Sequence, residues 1–324
     1  MNERRSEMET ETTISRGDVQ EFYSKAAAAT QENLCCPVKY EPGDLSHIPE
    51  EVLEISYGCG SPVSRANIEP GETMVDLGCG GGIDCFIAAR AVGAQGRVIG
   101  VDMTEAMLNV ARTHADRVSD NLGYRNLEFH HGFLESTPVE DASADVVTSN
   151  CVVNLSPKKQ DVFKEISRIL KPGGRFVIAD IISDQPVPAA MRDNRELWGE
   201  CVSGALTLDE FLDYSRQAGF YGFNVTKDYL WKEVEGIRFY SYLLTAYKPA
   251  AIEESCCSGS VLAIYAGPFN EVTCEGVTFP VGRAVEVKEE LGEVLAQGPY
   301  RGLFNIIDPE TEQVEDNSDD SCCG

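Results

Sequence analysis

Through the middle of the chain, short apolar runs of strand length alternate with segments whose apolar residues recur at helical spacing. Runs at 73–77, 97–101, 126–130, 145–149 and 175–181 predict strands, and the stretches 83–92, 104–118 and 159–170 carry the three- and four-residue apolar spacing of helices. Strands alternating with helices predict a mostly parallel sheet, hence an α/β, Rossmann-like core. Thr104 stands where a helix N-cap belongs, and Lys171-Pro172-Gly173-Gly174 reads as a helix stop followed by a turn. Beyond Pro186, a helix pair near 188–199 and 207–218 precedes two β-rich runs, 223–230 and 237–247, which suit an edge hairpin that closes the sheet.

The flanks have a different texture. Residues 1–16 are charged and poor in apolar side chains, so they are expected to be disordered. An N-terminal lid segment should span 17–67, with a helix from the capping residue Asp18 to about Ala29, a loop holding Cys35, Cys36 and Pro37, and a short helix at 50–55. The core then runs over 68–249, a linker over 250–260, a small α+β appendix with one helix near 287–296 over 261–308, and an acidic tail ending in Cys322-Cys323 over 309–324.

Composition narrows the function. A formal charge of −26 with no basic stripe argues against nucleic acid and anionic membrane partners. The chain shows neither an apolar stretch near the ~20 residues of a bilayer span nor a signal-peptide centre, so a cytoplasmic protein acting on small molecules is expected. Oligomeric state is not legible. Twelve cysteines are unusual for a reducing compartment, yet no C-x-x-C or H-E-x-x-H spacing occurs and histidines number four, which makes zinc a poor fit.

The most informative stretch is Thr73 to Asp102, TMVDLGCGGGIDCFIAARAVGAQGRVIGVD. A strand ends in Asp76, a glycine loop follows, a helix packs back, and a second strand closes on Asp102, 26 positions on, where a βαβ unit delivers a carboxylate to ribose hydroxyls. The third glycine of G-x-G-x-x-G is missing, which disfavours a pyrophosphate. The form D-x-G-C-G-x-G instead resembles the first motif of class I S-adenosylmethionine-dependent methyltransferases, whose loop cradles the amino-acid part of the cofactor. That resemblance implies Asp76, Gly78 and Gly80 at the methionine end, Asp102 on the ribose and Met103 beside adenine. It further implies Gly132 and Phe133 completing the adenine pocket, Asn150 at the methionine end, and Tyr57 and Gly58 closing over the methyl group.

Ligands of parallel α/β sheets bind beyond the carboxyl ends of the strands, which singles out Cys151 just after the fourth strand. Together with YGCGSPV around Cys59, SNCVVNLSPKK around Cys151 and GECVSGAL around Cys201, the glycine loop resembles the arsenite methyltransferase family, and the similarity extends over most of the chain. The resemblance implies trivalent arsenic, as arsenite or methylarsenite, held by Cys151 and Cys201, with Cys59 and an N-terminal cysteine joining during turnover. Soft arsenic prefers thiolates, and its lone pair can attack a sulfonium methyl directly, so positioning is the main demand and no catalytic histidine is assigned. Return of arsenic to the trivalent state takes two electrons. Cys59 is the expected donor, paired with Cys35 or Cys36, with thioredoxin or glutathione as external thiol reductant. Cys79, Cys85 and Cys274 are expected to pack in cores, and His130 and His131 to pack or edge the cofactor. Cys256, Cys257, Cys322 and Cys323 are left open between arsenic capture and no role. Two alternatives remain: a C- or O-methyltransferase on a quinone or lipid-like substrate, and a thiol-rich sequestration protein.

Overall fold

A computed structural model of the chain describes residues 14–26, 45–53, 58–249 and 260–307. The chain divides into two compact units, Met1–Lys248 and Pro249–Gly324.

In the first unit, α1 (Arg16–Ala26), α2 (Glu50–Leu53) and α3 (Pro62–Arg65) precede the sheet. There follow β1 (Thr73–Leu77), α4 (Ile83–Val92), β2 (Arg97–Asp102), α5 (Glu105–Leu122), β3 (Leu127–His131), β4 (Ala144–Asn150), α6 (Lys159–Ile169) and β5 (Leu170–Ser183). Then come α7 (Ala189–Arg192), α8 (Arg195–Gly199), β6 (Leu206–Thr207), α9 (Leu208–Gln217), β7 (Tyr221–Val234) and β8 (Ile237–Tyr247). The sheet order is β3-β2-β1-β4-β5-β8-β7, with β6 paired to β5. β1 to β5 are mutually parallel, and β8 and β7 add as an antiparallel hairpin. This is the class I, Rossmann-like arrangement.

Both sheet faces are covered, so successive strand residues feed opposite cores. Val75 and Leu77 of β1 pack with Phe163, Ile166, Phe176 and Phe211 on one side. Met74, of the opposite parity, packs with Phe86, Ile87, Leu108 and Val177 on the other. Arg175 fastens the entry to β1: it donates to the carbonyls of Ala66 (2.7 Å) and Asn67 (2.7 Å) and forks onto Glu72 (2.8 and 2.9 Å).

The elements depart from the sequence reading in five places. α1 begins at Arg16, so Asp18, expected as its cap, sits in the first turn and accepts from the Ser15 N–H at 2.9 Å. α5 runs to Leu122 rather than 118, because the stop is Gly123, whose left-handed backbone (φ 83°) returns its N–H to Ser119. Thr104 precedes α5 but makes no side-chain cap; its N–H is taken by Asp102 instead. The helix expected over 188–199 is two short ones, since the Asn194 side chain accepts from the N–H groups of Glu196 and Leu197 and starts a new helix. Lys171-Pro172-Gly173-Gly174 ends α6 yet lies inside β5, as an irregularity between the pairs Ala144–Leu170 and Val146–Arg175.

The second unit contains β9 (Ser260–Tyr265), β10 (Glu271–Cys274), β11 (Val277–Pro280), β12 (Ala284–Lys288), α10 (Glu289–Ala296) and β13 (Phe304–Ile307). An antiparallel sheet of order β12-β9-β13 and the hairpin β10-β11 surround a core of Ala263, Tyr265, Phe279, Leu295 and Phe304, which also takes in Cys274. Among the described residues, no helix is long and apolar enough to cross a membrane.

Candidate active site

The carboxyl ends of β1, β2 and β4 open into a crevice of about 1350 Å³ measured out to its mouth. Gly58, Asp76, Gly78, Gly80, Asp102, Met103, Gly132, Phe133 and Asn150 all line it, as do Cys151 and Cys201. Tyr57, Cys35 and Cys36 lie outside the described residues.

At one end is the glycine loop. Gly78 and Cys79 both donate to the Val101 carbonyl (2.8 and 3.1 Å), which fixes the loop over the end of β2. Gly78 has φ 74°, and a Cβ there would stand 2.5 Å from Val152, so both conformation and space require glycine. Asp102 accepts from the N–H groups of Gly80 (3.0 Å) and Thr104 (2.7 Å), so its carboxylate is oriented between loop and helix. Burial raises its pKa and these N–H bonds oppose the rise. Asp76 accepts from Thr148 Oγ1 at 2.7 Å, while burial, and then the neighbouring charge of Asp84, push its carboxyl well above the ordinary carboxylate range. Asp84, the second residue of α4, was not singled out from sequence, although it follows the glycine loop directly. Asn150 joins this end to the next: its Nδ2 donates to Asp84 (3.0 Å) and the Gly60 carbonyl (2.8 Å), and its Oδ1 accepts from the Cys59 N–H (3.0 Å).

At the other end sulfur gathers. The chain leaves β4 through Cys151 in left-handed backbone (φ 57°), and Cys201 after α8 is left-handed too (φ 61°). Non-glycine residues pay to adopt this region and tend to do so at functional sites. Cys201 Sγ donates to the Cys151 carbonyl at 2.8 Å. Cys151 is bonded to Cys59 in a disulfide with a Cα–Cα distance of 5.9 Å. In this structure Cys59 is thus paired with Cys151, and the expected partners Cys35 and Cys36 lie outside the described residues. The reason is local: Gly58 approaches Asn150 so closely that a Cβ would lie 2.5 Å from its amide, which delivers Cys59 to the residue next along. The Cys59 carbonyl is held by Tyr229 Oη (3.0 Å) and Ser241 Oγ (2.8 Å).

Three further groups at this end escaped the sequence reading. An Asp180 carboxylate oxygen lies with the sulfurs of Cys151 and Cys201 inside a span of 4.8 Å. Burial drives its pKa up to about 6, against N–H bonds from Ile181 and Asn154. Lys159 is also buried, which drives its pKa down to about 8; its Nζ donates to the Ser156 carbonyl (2.9 Å) and stands 5.0 Å from the Trp198 ring. Trp231 of β7 lines the crevice beside the cysteines. Asp180 had a visible signal, an acid interrupting the apolar run RFVIADII. Trp231 had none.

Burial raises the thiol pKa of both Cys79 and Cys85 and keeps them protonated, consistent with packing roles. His131 is engaged with the Met103 carbonyl (3.0 Å), and His130 with Glu128 (3.3 Å).

Comparison with known proteins adds the following. Residues 68–233 match the family described as a methyltransferase domain, and 252–324 match a domain of unknown function, DUF8838. An arsenite methyltransferase of Aquipseudomonas alcaligenes is 36% identical over 267 residues, 77% of each chain. One of Mus musculus is 34% identical over 321 residues, 90% of this chain and 84% of its own. The crystal structure of CrArsM, an arsenic (III) S-adenosylmethionine methyltransferase from Chlamydomonas reinhardtii, aligns with a TM-score of 0.64 at 34% identity, over 84% of this chain and 97% of that one.

Proposed function

This chain belongs to the arsenite methyltransferase family, and from that premise we propose that it methylates trivalent arsenic held by cysteine thiolates, using S-adenosylmethionine, as an arsenic detoxification enzyme. The observation that carries the reading is the clustering of Cys151 and Cys201, from segments distant in sequence, in the crevice that the glycine loop also lines, with Cys59 bonded to Cys151.

S-adenosylmethionine supplies an electrophilic sulfonium methyl. The residues fit it: Asp102 is pre-oriented for ribose hydroxyls, Gly80 has nothing within 4 Å where its Cβ would be, and the buried acids Asp76 and Asp84 favour a cationic ammonium group. Gly58 and Asn150 sit between that end and the sulfurs, as the methyl-bearing region requires, and Met103, Gly132 and Phe133 are the proposed adenine contacts.

Arsenic enters after the Cys59–Cys151 bond is reduced by two external thiols, which leave as their own disulfide. Arsenite then exchanges hydroxide for protein sulfur, As(OH)3 + 2 RSH → (RS)2AsOH + 2 H2O, with Cys151 and Cys201 as the ligands during methyl transfer and Cys59 joining afterwards. Held in line, the arsenic lone pair takes the methyl, and orientation of this kind contributes about 7–11 kcal/mol to lowering a barrier. Methylation raises arsenic formally to the pentavalent state. Two thiolates, Cys59 and Cys151, return two electrons and close as a disulfide, the bond the structure contains. Thioredoxin or glutathione is the proposed source of the resetting thiols.

The test is incubation with arsenite, S-adenosylmethionine and a thiol, followed by chromatographic speciation of arsenic. Methylated arsenic is expected. Cys201→Ser should lower the rate at least about a hundredfold while S-adenosylmethionine affinity stays within about twofold, because a hydroxyl is a poor ligand for a soft centre. An enzyme acting on a quinone or lipid-like substrate would be indifferent to that change.

A further inference from the structure

Of the chain's two tryptophans, Trp198 is satisfied by donating Nε1–H to the Leu155 carbonyl at 3.1 Å. Trp231 is not: its Nε1 is buried with no hydrogen-bond partner among the described residues. A buried donor left without an acceptor is costly, and natural proteins keep few of them. This one sits on a wall of the crevice shared with Cys151, Cys201 and Glu200.

Its setting is built. The pairing of β7 with β8 slips between Lys227 and Leu230 and again between Leu230 and Lys232, and such irregularities re-aim side chains. The residues around Trp231 are tied to the two sulfur-bearing segments separately. Tyr229 donates to the carbonyl of Cys59, and Lys232 pairs with Glu200, the neighbour of Cys201, at 2.5 Å. Trp231 therefore lies along the strand between two residues anchored to the sulfur-bearing segments, packed against the core cluster that holds Cys59 and Cys201.

We propose that Trp231 is a specificity-determining residue for the first methylation, its indole N–H donating to the hydroxyl that remains on arsenic once Cys151 and Cys201 have bound arsenite. The proposal rests on the function argued above and follows the stoichiometry of ligand exchange. Arsenite loses two hydroxides to two protein thiols and keeps one, (RS)2AsOH. Methylarsonous acid, CH3As(OH)2 + 2 RSH → CH3As(SR)2 + 2 H2O, keeps none. The indole thus has an acceptor in the first substrate and lacks one in the second, and the bond it makes orients the arsenic lone pair in the first alone.

Trp231→Phe keeps the aromatic wall and removes the donor. Initial rates with arsenite and with methylarsonous acid, at saturating S-adenosylmethionine and thiol, should show KM for arsenite raised about tenfold, the worth of one neutral hydrogen bond. KM for methylarsonous acid should stay within about twofold. Equal effects on both substrates, or none on either, overturn the proposal. If the variant loses S-adenosylmethionine affinity and so is misfolded, the reduced wild-type protein gives the answer: arsenite should shift indole emission to longer wavelength and methylarsonous acid should not, and equal shifts are fatal. If the wild-type protein methylates neither compound, the parent reading has failed and this one falls with it.

Discussion

Two carboxylates illustrate how much a single residue's surroundings decide. Asp102 and Asp180 are both buried and both accept two backbone N–H groups, and at Asp180, which lies beside sulfur, burial outweighs those bonds far enough to reach a pKa of about 6. Because the folded pKa of Asp180 lies above its ordinary 3.8, its contribution to stability is full below that value and is lost as pH rises through about 6. Asp180→Asn removes this dependence. Urea unfolding at pH 4 and pH 7 should therefore show the variant gaining on the wild type by about 2 kcal/mol between the two. At the glycine loop, Gly78→Ala meets both a left-handed backbone and Val152, and S-adenosylmethionine affinity by calorimetry is expected to fall at least about tenfold. The places of Gly78, Asp102 and Cys151 on the crevice were legible because they follow from strand ends and backbone shape. Asp84 and Asp180 carried signals that went unread, and Lys159 and Trp231 carried none, since burial and missing partners arise only when distant segments meet.

Elements were legible where their boundaries are written in glycine and lost where a side chain sets them. The helix at 83–92 lies between Gly82 and Gly93, both with positive φ, and the strand at 237–247 follows Gly236, again with positive φ; all three turns could be read directly. The break between α7 and α8 depends on the direction of one Asn194 side chain, which no spacing announces. α5 is the exception: Val118 and Leu122 carry its apolar spacing on to the glycine stop at Gly123, four residues past the expected end. Of the joints between elements, Arg175 is the one to test, because it satisfies two carbonyls and Glu72 at the start of β1 from a position only 15% exposed. Arg175→Met leaves Glu72 without its cation and should cost about 3 kcal/mol in chemical denaturation. The capping box of Thr207 and Glu210 on α9 is a smaller device: Thr207→Ala should cost about 1 kcal/mol by the same measurement.

Over the whole molecule, the two units have separate cores, and every residue lining the crevice falls between Arg16 and Trp231. A chain ending at Lys248 should accordingly keep its circular dichroism and bind S-adenosylmethionine within about threefold of full length, as titration calorimetry would show. The Cys59–Cys151 bond acts on the same scale, since it joins residues 92 apart and encloses β1 to β4. In the chain-entropy account a loop of that size contributes about 4.6 kcal/mol. On the proposed mechanism reduction, which would prepare the thiols, also loosens the fold, and arsenic bridging Cys151 to Cys201 would tie the chain again at a different point. The vulnerable form is the one between bridges. Limited proteolysis should cut the reduced, arsenic-free protein fastest and spare both the oxidised and the arsenic-loaded forms, so a cell short of the metalloid would keep its stock of this protein longest by leaving the bridge closed.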